Sequence, residues 1–247
     1  MKHLKTVRIL IILSFVTSLS SQNNNTQQQK ISANAVQTSV KDTQDSVVDI
    51  DGNVYKIIKI GTQMWMAENL KVTRYQNGDV ITNVNNNSDW GNLTTGAYCN
   101  YDNSSTNGDI YGKLYNFYAV SDIRNIAPKG WHVPSDAEWI KLITYLGGTK
   151  VAGGKLKEKG TKHWISENAG ATNESGFNGF PGGYCDGNGT FDTIGYFGNW
   201  WSSTQEVTFQ NDTAWSFVLG NSFGDGPNKD IQPKVNGYSV RCIRDSQ

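Results

Sequence analysis

The sequence predicts an α+β domain in which two main helices pack on short, mostly antiparallel strands joined by long loops. Three observations carry that expectation. Apolar residues recur at helical spacing in only two stretches, both before residue 150. Short apolar runs bounded by Gly, Asn and Asp follow them to the end of the chain. Charged residues make up only 18% of the 247 residues while Gly contributes 26, a balance that favours turns and strands over a helical bundle.

Residues 1–20 read as a secretory signal peptide. Lys2, Lys5 and Arg8 give a basic start, Ile9 to Leu13 with Phe15 and Val16 give an apolar core, and Ser18 and Ser20 are the small residues before a cut after Ser20. The apolar run is shorter than the ~20 residues that cross a bilayer, so no transmembrane segment is expected after cleavage; the alternative is an uncleaved anchor. No cysteine lies near the cut to carry a lipid. Residues 21–46 are Ser, Asn, Gln, Thr and Lys without a period, a flexible polar linker. The domain spans 47–245 and holds all eight Trp, enough aromatic mass for a core. Of 22 basic residues, the three at Lys2, Lys5 and Arg8 go with the leader, which leaves 19 against 22 acidic ones. A faintly negative chain with no basic run has no footprint for nucleic acid. The expected location is secreted, periplasmic or cell-surface.

Within the domain, Val47 to Ile60 reads as a hairpin turning at Asp51-Gly52-Asn53. Asp49, Asp51 and Asn53 have the spacing of the first ligands of a calcium loop, but the later Gly and Glu of such a loop are missing. Asn77-Gly78 is a turn, and 83–107 reads as polar loops around the apolar island Ala97 to Tyr101. Tyr111 to Val120, with Leu114, Phe117 and Tyr118, is the first expected helix. The second starts at Ser135 as N-cap with Glu138 three residues on, a capping box. It buries Trp139, Leu142, Ile143 and Leu146 on one face and ends at Gly147-Gly148. A helical turn at Gly154 to Glu158 and strands within 177–184, 199–204, 214–219 and 238–243 complete the layout.

Several blocks then carry a resemblance. They are Asp49-Ile50-Asp51-Gly52 with Gly61-Thr62-Gln63-Met64-Trp65-Met66-Ala67-Glu68-Asn69-Leu70, Tyr111-Gly112-Lys113-Leu114-Tyr115-Asn116, Pro128-Lys129-Gly130-Trp131-His132-Val133-Pro134-Ser135, Thr172-Asn173-Glu174-Ser175-Gly176-Phe177, Pro181-Gly182-Gly183, Trp200-Trp201-Ser202-Ser203 and Ser239-Val240-Arg241-Cys242. In this order they resemble the Fibrobacter succinogenes major paralogous domain family over about 47–245. The resemblance implies an exported Bacteroidetes-type domain with a C-type-lectin-like fold, similar also to the formylglycine-generating sulfatase-modifying enzymes. It implies no activity. Ala127 stands where some members have cysteine, and Cys185 where many have a basic residue, so no member's disulfide layout transfers.

No complete catalytic constellation is visible. His132 reads as structural, bonded to backbone, and His163 as a loop residue. Glu68, Glu138 and Glu174 each read as turn or cap partners. No phosphate loop, metal site or cofactor is expected. Cys242 lacks the near cysteine that copper-thiolate chemistry of the sulfatase-modifying kind needs, and Ile231-Gln232-Pro233-Lys234 lacks the acids of a lectin calcium loop. Trp131, Trp139, Trp200 and Trp215 are expected in the core. Candidate ligand-binding residues are aromatics beside polar loops: Trp90, Tyr184, Asp186, Asn188, Tyr196 and Trp201. If a disulfide forms, Cys99 with Cys242 is expected, with Cys185 exposed in its Gly-rich turn; buried free thiols are the alternative. The functional expectation is an exported, non-catalytic binding or surface-display domain whose partner is a glycan or another cell-surface component. The alternatives are a degenerate sulfatase-modifying-like or carbohydrate-active enzyme and a structural component of a surface assembly.

Overall fold

The computed structural model describes residues 45–165, 167–207, 212–222 and 226–246. The leader (1–20) and nearly all of the linker (21–46) lie outside the described residues. From Ser46 onward the chain forms one unit. Its strands are β1 (Ser46–Val48), β2 (Val54–Ile60), β3 (Gln63–Met66), β4 (Thr82–Asn83), β5 (Ala97–Cys99), β6 (Leu114–Tyr115), β7 (Trp131–His132), β8 (Tyr184–Cys185), β9 (Phe191–Asp192), β10 (Phe197–Glu206), β11 (Thr213–Gly220), β12 (Asn228–Pro233) and β13 (Ile243–Arg244). The α-helices are α1 (Asn87–Trp90), α2 (Ser105–Tyr111), α3 (Phe117–Val120), α4 (Asp136–Tyr145) and α5 (Thr149–Leu156).

The architecture is mostly β, which corrects the expectation of two main helices packed on strands. Among the described residues the longest helix, α4, has ten residues, and the next, α5, has eight. The first expected helix does not exist as one. Gly112 breaks it at φ +82, and a Cβ there would lie 2.6 Å from that of Asn69. Leu114 and Tyr115 then pair with Cys99 and Tyr98 as strand. Helix resumes only for the single turn of α3, capped by the Asn116 side chain. The apolar spacing of Leu114, Phe117 and Tyr118 therefore marks burial, not a continuous helix.

Other elements follow their local chemistry. In the β1–β2 hairpin the Asp49 carboxylate accepts from the backbone N–H groups of Asp51 and Asn53, the Asn53 amide and the Tyr55 hydroxyl. Asp51 points elsewhere and accepts from Thr73, so the two acids serve as turn and tether. At α4 both halves of the capping box form between Ser135 and Glu138, and Trp139, Leu142 and Ile143 are buried. Trp139 stacks on Phe217 at 5.1 Å and packs on Trp65 at 5.0 Å, the centre of an aromatic cluster with Phe177 and Trp200.

Among the described residues four sheets result, ordered β1-β2-β3-β13-β7, β10-β11-β12, β4-β5-β6 and β8-β9. Every pairing is antiparallel except β4 with β5. The segment from Gly237 joins them. Gly237 bridges Cys185, Tyr238 bridges Tyr115 and Ser239 bridges Trp200. The Val240 and Cys242 carbonyls accept from Leu70 and Met66, and Ile243 pairs with both Trp65 and His132.

Beside this seam lies Arg241, fully buried. Its Nε and one terminal nitrogen donate to Asn69 Oδ1 at 3.0 and 2.7 Å, and the other donates to the Met66 and Phe177 carbonyls at 3.2 and 2.5 Å. The Phe177 ring lies 4.2 Å from the guanidinium carbon. Burial lowers its pKa from 12.5 to about 9, so the group stays charged at neutral pH. Substituting Arg241→Met leaves these buried oxygens without their donors and is expected to cost ~3 to 5 kcal/mol. The urea-unfolding midpoint measures this, and a loss below ~1 kcal/mol would contradict it.

Candidate functional site

The expected ligand-binding residues divide into two groups. Trp90 and Trp201 are buried and offer no face to a ligand. Trp90 lies on α1, where Asn86 caps the turn through Ser88 N–H, and the turn carries the indole inward against Gly237. The Trp201 indole N–H donates to the Tyr115 carbonyl at 2.7 Å, and its ring packs on Phe117 and Tyr238. Trp215, expected in the core, is instead half-buried on β11, with the Lys229 ammonium 3.5 Å above its ring.

Tyr184, Asp186 and Asn188 do come together, on the β8–β9 hairpin. Asp186 Oδ1 accepts from the backbone N–H groups of Asn188 and Thr190 at 2.8 and 2.9 Å, so it holds the turn while Asn188 stands exposed at the tip. Tyr184 is half-buried, and its ring meets Tyr238 edge-on at 5.7 Å. Tyr196 follows the hairpin and is 45% exposed.

Tyr184 adjoins residues that the sequence analysis did not single out. Gln232 donates to Asp230 at 2.7 Å, and the Asn236 amide donates to Gln232 Oε1 at 3.3 Å and to the Tyr238 hydroxyl at 3.4 Å. Asp230, Gln232, Asn236 and Tyr238 thus form a connected polar row ending at the Tyr184 ring. Asp230 and Gln232 alternate along β12, and that period-2 spacing is the signal that could have found them. Burial first, then the charges of Asp192 and Asp186, raises the Tyr184 pKa. Burial likewise raises that of Tyr238 against the opposing bond from Asn236. Both phenols therefore keep their protons. Asn236 and Tyr238 are buried and hold the row in place, while Asp230, Gln232 and the half-buried Tyr184 present a carboxylate, an amide and an aromatic ring with its hydroxyl, a set that matches neutral, hydroxyl-rich ligands.

Both histidines of the domain face carboxylates. His163 Nδ1 lies 2.9 Å from both oxygens of Glu158, five residues upstream, with the Phe180 ring 4.5 Å and the Tyr111 ring 5.7 Å away. His132 sits between Glu138, 2.9 Å from Nε2, and Asp245, 2.6 Å from Nδ1, where the sequence reading expects backbone partners. Ser135 donates to the other oxygen of Glu138, completing the cap of α4. Among the described residues no three His, Cys, Asp or Glu side chains converge as metal ligands, and no helix is long and apolar enough to cross a membrane.

All three cysteines are free and buried, so the expected Cys99–Cys242 disulfide is absent and Cys185 is not the exposed thiol of its turn. Cys99 and Cys185 share one apolar cluster while Cys242 lies in another. Backbone pairing with Gly237 draws Cys185 inward.

These observations define a β-rich domain whose C-terminal segment ties its sheets together, with a polar and aromatic row running from the outer strand β12 to the β8–β9 hairpin. The family model for the Fibrobacter succinogenes major domain matches residues 58–244, and the chain belongs to that family. No curated protein and no solved structure matches it.

The His132 geometry sets a pH dependence. The bond to Glu138, then the one to Asp245, raises the imidazole from 6.5 to about 8 against the opposing effect of burial. Burial would raise the Glu138 carboxyl, but the bonds from His132 and Ser135 outweigh it and hold the group at about 2. The imidazolium contribution is complete below about pH 6.5 and is lost as pH rises through about 8; that of Glu138 is complete above about pH 4.5 and is lost as pH falls towards 2. Tm should therefore fall between roughly pH 6.5 and 8.5, and this fall should vanish in His132→Gln. An imidazole titrating near its ordinary value by NMR would contradict the assignment.

Proposed function

We propose that this chain is an exported, non-catalytic binding domain that recognises a glycan or a sugar-bearing component of a cell surface. The observation that carries the reading is the row from Asp230 through Gln232, Asn236 and Tyr238 to the half-buried ring of Tyr184. Sugars present C–H faces that stack on aromatic rings and hydroxyls that exchange hydrogen bonds with amides and carboxylates. The leader-like N-terminus and the polar stretch after it support presentation outside the cytoplasm.

A glycan array followed by calorimetry on the best ligand tests the proposal. Tyr184→Ala and Gln232→Ala are each expected to weaken binding roughly tenfold or more, with Tm measured alongside to separate contact from stability. Tyr196→Ala should leave affinity unchanged. An array without signal, or ligands indifferent to Tyr184 and Gln232, would sink the reading.

A second reading, a carbohydrate-active enzyme, draws on the Glu158–His163 pair. A carboxylate bound to Nδ1 fixes the tautomer and leaves Nε2 as the basic nitrogen, the arrangement of a general base. It requires turnover of a glycoside or ester substrate that His163→Gln abolishes while the fold is retained.

A further inference from the structure

We propose that Cys99 and Cys185 are the disulfide-forming pair of this protein and that Cys242 remains a free thiol. Cys99 ends β5 and Cys185 ends β8. Both belong to the cluster with Trp90, Tyr101 and Leu114, and both line one narrow crevice beside Trp90 and Phe191. Burial raises the Cys99 pKa, and the neighbouring Cys185 thiol adds to the shift. Cys242 is in a different cluster, near Tyr55 and Tyr115.

Backbone ladders hold the pair. Cys185 exchanges two hydrogen bonds with Gly237, at 3.0 and 2.8 Å. Cys99 pairs with Leu114, whose neighbour Tyr115 exchanges two bonds with Tyr238, at 2.9 and 3.0 Å. The strands that carry the two thiols are thus joined through consecutive residues. Gly237 permits the approach. A Cβ at that position would stand 2.8 Å from the Trp90 ring, 3.2 Å from the Cys185 Cβ and 3.4 Å from the Leu114 Cβ. The Cys185 sulfur is 3.7 Å from the Asp186 carbonyl, a weak contact that a disulfide can forgo.

The oxidant is an external disulfide, either a small-molecule one or that of a dithiol oxidase. One cysteine thiolate attacks it, its S–S bond breaks, and the first leaving thiolate takes up the proton that the attacking thiol lost. The second cysteine thiolate then displaces the second leaving group from the mixed disulfide, and that group is protonated in turn. Two cysteine thiols are oxidised and one external disulfide is reduced to two thiols. Burial raises the Cys99 pKa well above its ordinary value, so the folded domain presents little thiolate. Exchange therefore takes place during folding, before the β8–β9 hairpin closes on β5.

The test refolds the full chain from denaturant in oxidised and reduced glutathione, then unfolds it without reductant, alkylates it and maps the peptides by mass spectrometry. Labelled thiols should fall from three to one, at Cys242, with Cys99 and Cys185 in a single linked pair. Cys242→Ser should still form the link, and Cys185→Ser should not. The same map on chain exported into an oxidising compartment and isolated without reductant covers the case of poor refolding. A link involving Cys242, or three labelled thiols in oxidised protein with a native circular dichroism spectrum, overturns the proposal.

Discussion

Arg241 is a buried cation whose hydrogen bonds go to no carboxylate, Glu68 acting on it only as a nearby charge, and the elements around it are organised by the need to hold its neutral acceptors in place. Arg241 has exchanged water for one amide oxygen, two backbone carbonyls and an aromatic face. Such a site tolerates the charge only if every acceptor is held in place, because desolvating a guanidinium costs several kcal/mol. Asn69 Oδ1 takes two of the guanidinium bonds and a third from the Trp200 indole at 2.8 Å, while its amide donates to the Tyr111 carbonyl at 2.7 Å. Displacing Asn69 would therefore disturb β10, the end of α2 and the C-terminal segment together.

This node accounts for much of the sequence resemblance. Met66 and Asn69 come from one recognised block, Tyr111 and Gly112 from another, Phe177 from a third, Trp200 from a fourth and Arg241 from a fifth. They meet around one guanidinium. The blocks that carry the resemblance thus supply residues that build the scaffold. Tyr184, Asp230, Gln232 and Asn236 lie outside those blocks, on a hairpin and an outer strand. A shared fold and divergent ligands are compatible for that reason.

The capping box at α4, its Trp139 face and the β1–β2 hairpin were legible because each is settled within a dozen residues by periodicity and turn chemistry. What escaped was settled by distant partners. The stretch Tyr111 to Val120 reads as a helix until Asn69 and Tyr238 claim its backbone at Tyr111 and Tyr115. Cys185 sits in a Gly- and Asp-rich turn, yet pairing with Gly237 buries it. Trp90 sits among asparagines, yet one capped turn points it inward. The Glu158–His163 contact spans only five residues, but no periodic element announces it. For the polar row, half of the signal lay in the alternation of β12, and the other half came from a hairpin more than forty residues upstream.

The position of the last strands has a consequence for biosynthesis. Residues 237–243 supply bridging partners to β3, β6, β7, β8 and β10, so the pairing that joins the sheets to one another waits for this late segment of the domain. An emerging polypeptide can form the β1–β2 hairpin and α4 early, but it cannot knit the sheets together until that portion is free. Topologies weighted towards such non-local contacts fold slowly. During synthesis the separate sheets therefore stay unjoined until this segment emerges, and their assembly is late and vulnerable to any truncation that removes the seam.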